Sequence, residues 1–254
     1  MLVGLLAVGL GLALLTSGMN SGRGPPSWAM TRLCDAIEAK GVGLEALPPL
    51  LALLRGEPLG GWFRSRAVVV RRFGADLVPP LREALGSPAT EPTARRWIFW
   101  VLQDLGPSAA AALPEVLQAL DGPDEFMRGE AIGALDCISV GRVPLPTRAT
   151  SRLIELMNGG DGSLDLHALR ILERHWALEP DVRRALVTRW EQDVSRPVNR
   201  DGALAGLRRA LAAPEPDLRL RAARTLRKTS PYDSDPRIDA VLAEVPSSSS
   251  ADPR

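Results

Sequence analysis

The chain has few of the residues that usually carry chemistry. Its two cysteines, Cys34 and Cys137, stand 103 residues apart. Neither has a second Cys or a His at metal-ligand spacing, which excludes a compact zinc site. Both fall in helix-like runs and read as small core residues. The two histidines, His167 and His175, sit eight residues apart on one expected helix. That spacing separates them by roughly 12 Å along the axis, too far to share a metal, and His175 reads as a helix-end residue. There is no glycine loop followed by Lys-Ser or Lys-Thr, no His-Glu-x-x-His and no Gly-x-Ser-x-Gly. The sequence therefore assigns no catalytic residue, no metal ligand and no cofactor, and points away from an enzyme. Lysine occurs only at Lys40 and Lys228, so the basic charge is nearly all arginine, and the net charge of +1 excludes a strongly basic nucleic-acid binder. Aromatic residues make up 4% of the chain. β-branched runs are scarce beyond Val68-Val-Val70. Leu and Ala dominate, which points to an all-α fold.

What is present is repetition. Arg64-Ser-Arg-Ala67-Val-Val-Val-Arg-Arg-Phe-Gly74 is followed by Asp76-Leu-Val-Pro79-Pro-Leu81-Arg-Glu-Ala-Leu85. Both runs return as Arg95-Arg-Trp-Ile98-Phe-Trp-Val-Leu102-Gln-Asp-Leu-Gly106 and Ala112-Leu-Pro114-Glu-Val-Leu117-Gln-Ala-Leu120. The first run opens again at Arg128-Gly-Glu-Ala131-Ile-Gly-Ala-Leu135. Gly74 to Gly106 is 32 residues, Pro48 to Pro79 is 31 and Pro79 to Pro114 is 35, a period that signals stacked helical pairs. Leu47, Leu50, Leu51 and Leu54 form one helical stripe, and Leu113, Val116, Leu117 and Leu120 repeat it. A proline heads each second helix, where the missing N–H has no intrahelical acceptor in any case.

On these residues the chain resembles the HEAT-repeat family, in its short-repeat form. The resemblance covers about 44–138 and 201–229. It implies an α-solenoid, a superhelix of about five to six stacked antiparallel helix pairs over 28–245. It also implies that Arg64, Arg95, Arg128 and Arg219 brace inter-repeat turns, and that Ala67, Ala131 and Ala222 let helices approach closely. Between the two stretches the pattern slips, and a kink or inserted helix is expected near 180–200.

Residues 1–22 carry no charged side chain, and Met1 to Leu15 are almost wholly apolar. Fourteen apolar residues as helix span about 21 Å and all 22 about 33 Å, against a hydrocarbon core of roughly 30 Å. The segment reads as an uncleaved anchor or a cleaved signal, which would make the protein membrane-associated through its N-terminus or exported. Residues 23–27 read as a linker and 246–254 as a disordered tail.

The function expected is a non-enzymatic scaffold that holds a protein partner. Trp62, Arg66, Arg96, Trp97 and Trp100 are the candidate partner-binding residues, because exposed Trp and Arg dominate binding hot spots. Packing between repeats is the competing role for the same tryptophans. Arg55–Arg72 carries five Arg against Glu57, and Arg200–Lys228 carries eight bases against three acids. These blocks permit a nucleic-acid-binding solenoid. The seven acids between Gln103 and Asp136 speak against it. A bilin-lyase-like enzyme is the remaining alternative, without any residue that marks a chromophore site.

Overall fold

The structure, a computed structural model, describes residues 27–39, 42–54, 59–140, 145–159 and 163–244. Among them every regular element is a helix and none is a strand. The expected segment 1–22, most of the linker and the tail 246–254 lie outside the described residues. No described helix is long and apolar enough to cross a membrane. The chain divides into two compact units at Val143–Pro144.

The first unit holds α1 (Ser27–Glu38), α2 (Leu47–Leu53), α3 (Leu59–Phe73), α4 (Val78–Gly86), α5 (Pro92–Leu105), α6 (Leu113–Leu120) and α7 (Glu125–Ile138). Met30, Leu33, Cys34 and Ile37 set the pattern on α1: spaced i, i+3, i+4 and i+7, all are buried. The helices with the Arg-led pattern pack in sequence, α1 on α3, α3 on α5 and α5 on α7, while α4 packs on α6. Proline stands in the first turn of α2, α4 and α6, as the repeat requires. Gly74 and Gly106 adopt φ of 53° and 55°, a left-handed conformation that glycine takes without a Cβ clash. Each opens a 3-10 turn, Gly74–Leu77 or Gly106–Ala112, that leads into the second helix of the pair.

Arg95 braces the turn before α5, donating to the carbonyls of Thr90 and Leu85 at 3.0 Å and Ser87 at 2.6 Å. Arg128 reaches Gly122 and Pro123 at 3.3 Å in the turn before α7. Arg64, inside α3, pairs with Asp35 and Glu38 on α1; the turn it is expected to brace lies outside the described residues. Ala131 is buried, but Ala67 is exposed. The small residue that admits a neighbour on α3 is Ser65, with no exposed surface.

The second unit holds α8 (Thr147–Gly159), α9 (Ser163–His175), α10 (Pro180–Asp193), α11 (Arg200–Ala210), α12 (Pro216–Thr229) and α13 (Pro236–Ala243). Here α8 packs on α10 and α10 on α12, while α9 and α11 fill in as second helices. Arg219 braces its turn through the carbonyls of Ala213 and Pro214, and Ala222 is fully buried. Helix α10 runs as one helix from Pro180 to Asp193. Arg183 acts as the turn residue of α10, donating to the Trp176 carbonyl at 3.1 Å and to both oxygens of Glu215 at 3.0 and 2.9 Å. Deeper in, buried Arg189 ties three helices together through the Met157 carbonyl, Asp165 and Asp193.

Candidate functional site

Three helices of the first unit contribute one face each to a strip of aromatic and arginine side chains. Helix α3 brings Trp62, Phe63 and Arg66, α5 brings Arg96, Trp100 and Asp104, and α7 brings Phe126 and Glu130. Residues four apart on a helix share a face, which is why 62 and 66, 96, 100 and 104, and 126 and 130 line up. The start of α7 is fixed by Asp124, whose side chain accepts from the N–H groups of Phe126 and Met127. That cap satisfies two otherwise orphaned donors and sets where Phe126 emerges.

Phe63 and Trp100 stack at 5.7 Å with their planes 9° apart, and Trp62 meets Trp100 edge-on at 5.6 Å. The Arg66 guanidinium lies 5.4 Å from the Phe63 ring and 5.5 Å from Trp100. Arg96 lies 4.8 Å from Trp100 and 4.5 Å from Phe126. Each arginine is also ion-paired: Arg66 Nε is 2.6 Å from Asp104 Oδ2, and Arg96 Nε is 2.9 Å from Glu130 Oε1. The other oxygen of Glu130 accepts the Trp100 indole N–H at 2.8 Å. Partial desolvation pushes the Asp104 carboxyl above its ordinary value, and the Arg66 guanidinium pulls against it.

The candidates from the sequence divide. Trp97 has no exposed surface; its indole N–H donates to Ser65 Oγ at 3.0 Å and to the Trp62 carbonyl at 3.3 Å. Trp62 is 6% exposed. Both tryptophans fill the packing between α3 and α5 and offer no face to a partner. Trp100, Arg66 and Arg96 are half-buried. The most exposed members of the strip are Phe63, at 51%, and Phe126, at 50%. Phe63, Phe126, Asp104 and Glu130 are not among the residues that the sequence singles out. Phe126 and Glu130 carry a legible signal, since they sit four apart and about one period after Arg96 and Trp100.

No group of three or more His, Cys, Asp or Glu side chains placed to hold a metal ion occurs among the described residues. The arrangement can bury apolar surface and orient it. Compared with known proteins, the chain matches no family model and no curated protein sequence.

Proposed function

We propose that the protein is a non-enzymatic scaffold of HEAT-like helical repeats whose aromatic–arginine strip holds a protein partner. The observation that carries this reading is the exposure of Phe63 and Phe126 on either side of half-buried Trp100. Folded proteins seldom leave aromatic rings clustered in water unless the patch has a use. Aromatic and Arg side chains of this kind are also the residues that dominate interface energetics. The guanidiniums of Arg66 and Arg96 are engaged by Asp104 and Glu130, so the strip offers rings and polar edges rather than bare positive charge. A phosphate backbone would meet two carboxylates there, which favours protein over nucleic acid.

The repeat reading is supported by the order of packing within each unit, where every Arg-led helix meets the next one in the series. It is further supported by the braces at Arg95, Arg128 and Arg219. Within the basic stretch Arg200–Lys228, Arg208 pairs with Asp233, Arg219 with Glu244, Arg221 with Glu191 and Arg227 with Asp239, so about half of its charge is already met by carboxylates. Residues 1–22 place the scaffold at a membrane or send it across one. Cell fractionation with and without those residues tests this, and equal cytoplasmic recovery of both forms contradicts it. For the strip, a photoreactive residue at position 63 should trap a polypeptide in cells. Trapped nucleic acid in its place refutes the reading.

A further inference from the structure

The aromatic–arginine strip is selective in the hydrogen-bonding groups it presents. Both oxygens of Glu130 are engaged, one by Arg96 Nε at 2.9 Å and the other by the Trp100 indole N–H at 2.8 Å. Asp104 Oδ2 lies 2.6 Å from Arg66 Nε. Both arginines thus meet their carboxylates through Nε, and the terminal amino groups of each guanidinium are left as donors. The strip has N–H groups to give and few acceptors to offer. Its two cations are each matched by a carboxylate, so an uncharged segment suits it better than an acidic or a basic one. A proline-rich segment has the complementary balance: each proline lacks an N–H, while its carbonyl is free to accept.

The rings fall into two pads. Phe63 and Trp100, stacked at 5.7 Å, form the first, and Phe126 is the second. The Arg96 guanidinium sits 4.8 Å from Trp100 and 4.5 Å from Phe126, which holds those two ring centres within about 9.3 Å of each other. The helices that carry them pack in sequence, and packed helices stand roughly 8–10 Å apart. A polyproline II helix repeats its side chains every three residues, about 9.3 Å along its axis. A proline on Trp100 and the third residue after it on Phe126 therefore keep register. An extended strand returns to the same face after about 6.6 Å, out of step with the pads. An α-helix spends its carbonyls internally and would leave the guanidinium donors without acceptors.

We infer, building on the protein-binding role proposed above, that the strip takes a proline-rich segment of the partner in the polyproline II conformation. Prolines three apart stack on the Phe63–Trp100 pad and on Phe126, and the terminal amino groups of Arg66 and Arg96 donate to carbonyls between them. Such a segment is nearly ordered before it binds, so little conformational entropy is lost.

The test uses the full chain and labelled peptides of about ten residues, three turns of polyproline II, built on Pro-x-x-Pro-x-x-Pro with uncharged polar residues at x. One control set spaces the prolines four apart, and another replaces them with Leu at helical spacing in an Ala-rich chain. The Pro-x-x-Pro peptides bind saturably, and the wider spacing weakens them by about tenfold or more. Phe63→Ala and Phe126→Ala, both at half-exposed rings, each weaken them to a similar degree while the melting temperature holds. No binding of the proline peptides, equal affinity for the two spacings, or full affinity in Phe126→Ala overturns the proposal. Binding of the helical peptides alone, lost in Phe63→Ala, also overturns it but leaves the protein-binding reading standing. A photoreactive residue at position 63 that traps lipid or nucleic acid overturns both. One that cross-links to Pro25 or Pro26 of its own chain overturns the assignment to a partner.

Discussion

The Trp97 indole N–H donates to Ser65 Oγ at 3.0 Å, joining α5 to α3 at a point where neither residue has any exposed surface. Ser65 in turn donates to the Trp62 carbonyl at 3.0 Å, so a small polar chain is closed inside an apolar interface. Trp97→Ala removes the largest fully buried side chain of this region and should cost about 3–5 kcal/mol. Ser65→Ala should cost about 1 kcal/mol, because the Trp62 carbonyl remains as an acceptor. Urea unfolding of both variants checks the order. A Trp97→Ala chain as stable as the parent would contradict the packing described.

The helices were legible because the apolar spacing and the prolines agree at every level. The stripe of Leu47, Leu50, Leu51 and Leu54 falls on α2 and its end, and that of Leu113, Val116, Leu117 and Leu120 on α6. Asp235 caps α13 as its place before Pro236 suggests, accepting from the Arg237 N–H at 3.0 Å. The roles of individual arginines were less legible. Arg64 follows the repeat spacing only approximately: α3 begins at Leu59, and Arg64 reaches the carboxylates of α1. Arg183 had a readable signal: Glu179-Pro-Asp-Val-Arg183 repeats Glu91-Pro-Thr-Ala-Arg95 and Glu215-Pro-Asp-Leu-Arg219. In the candidate site, a run such as Trp97-Ile-Phe-Trp100 does not reveal which ring faces the neighbouring helix. That depends on the register between α3 and α5, which the side chain of Ser65 sets by admitting Trp97.

Arg183 and Glu215, with side chains 8% and 16% exposed, couple the turn before α10 to the turn before α12. Arg183→Met leaves a nearly buried carboxylate without its partner and should cost about 3–5 kcal/mol. Adding Glu215→Gln should restore a large part of that loss. A double-mutant cycle by chemical denaturation measures the coupling; additive losses would show that the pair does not act as a unit.

Gly206 lets α11 lie against the Trp190 ring of α10. A Cβ at position 206 would stand 2.3 Å from Trp190 Cε2. The ring has little freedom to retreat, since it packs 5.2 Å from Trp176 and its N–H donates to Glu173. Gly206→Ala should therefore destabilise the chain by about 1–3 kcal/mol through overpacking, although Ala favours helix over Gly. Pairing it with Trp190→Leu should relieve part of the loss. Thermal melts of the single and double variants decide this, and a raised melting temperature in Gly206→Ala would contradict it.

His175 is 2% exposed and its Nδ1 is buried without a hydrogen-bond partner. Burial pushes its pKa below the ordinary 6.5, with Glu179 pulling up and Arg174 pushing down. A histidine with a depressed folded pKa stabilises the fold above its unfolded pKa. That contribution is lost as pH falls through the folded value. Stability should thus decline below about pH 6.5, and His175→Gln should flatten that part of the profile. Urea midpoints at pH 7.5 and 5.5 check it; an unchanged slope in His175→Gln assigns the pH dependence to other groups.

The scaffold reading rests on the exposed rings of α3 and α7, and it is tested most directly by quantitative affinity capture from cells. Full-length wild type and the Phe63→Ala/Phe126→Ala variant are compared, with melting temperatures measured alongside. The account predicts a protein whose recovery drops by about thirtyfold or more in the variant, as expected for loss of hot-spot contacts, with little change in melting temperature. Identical sets of captured proteins at equal yield would contradict it.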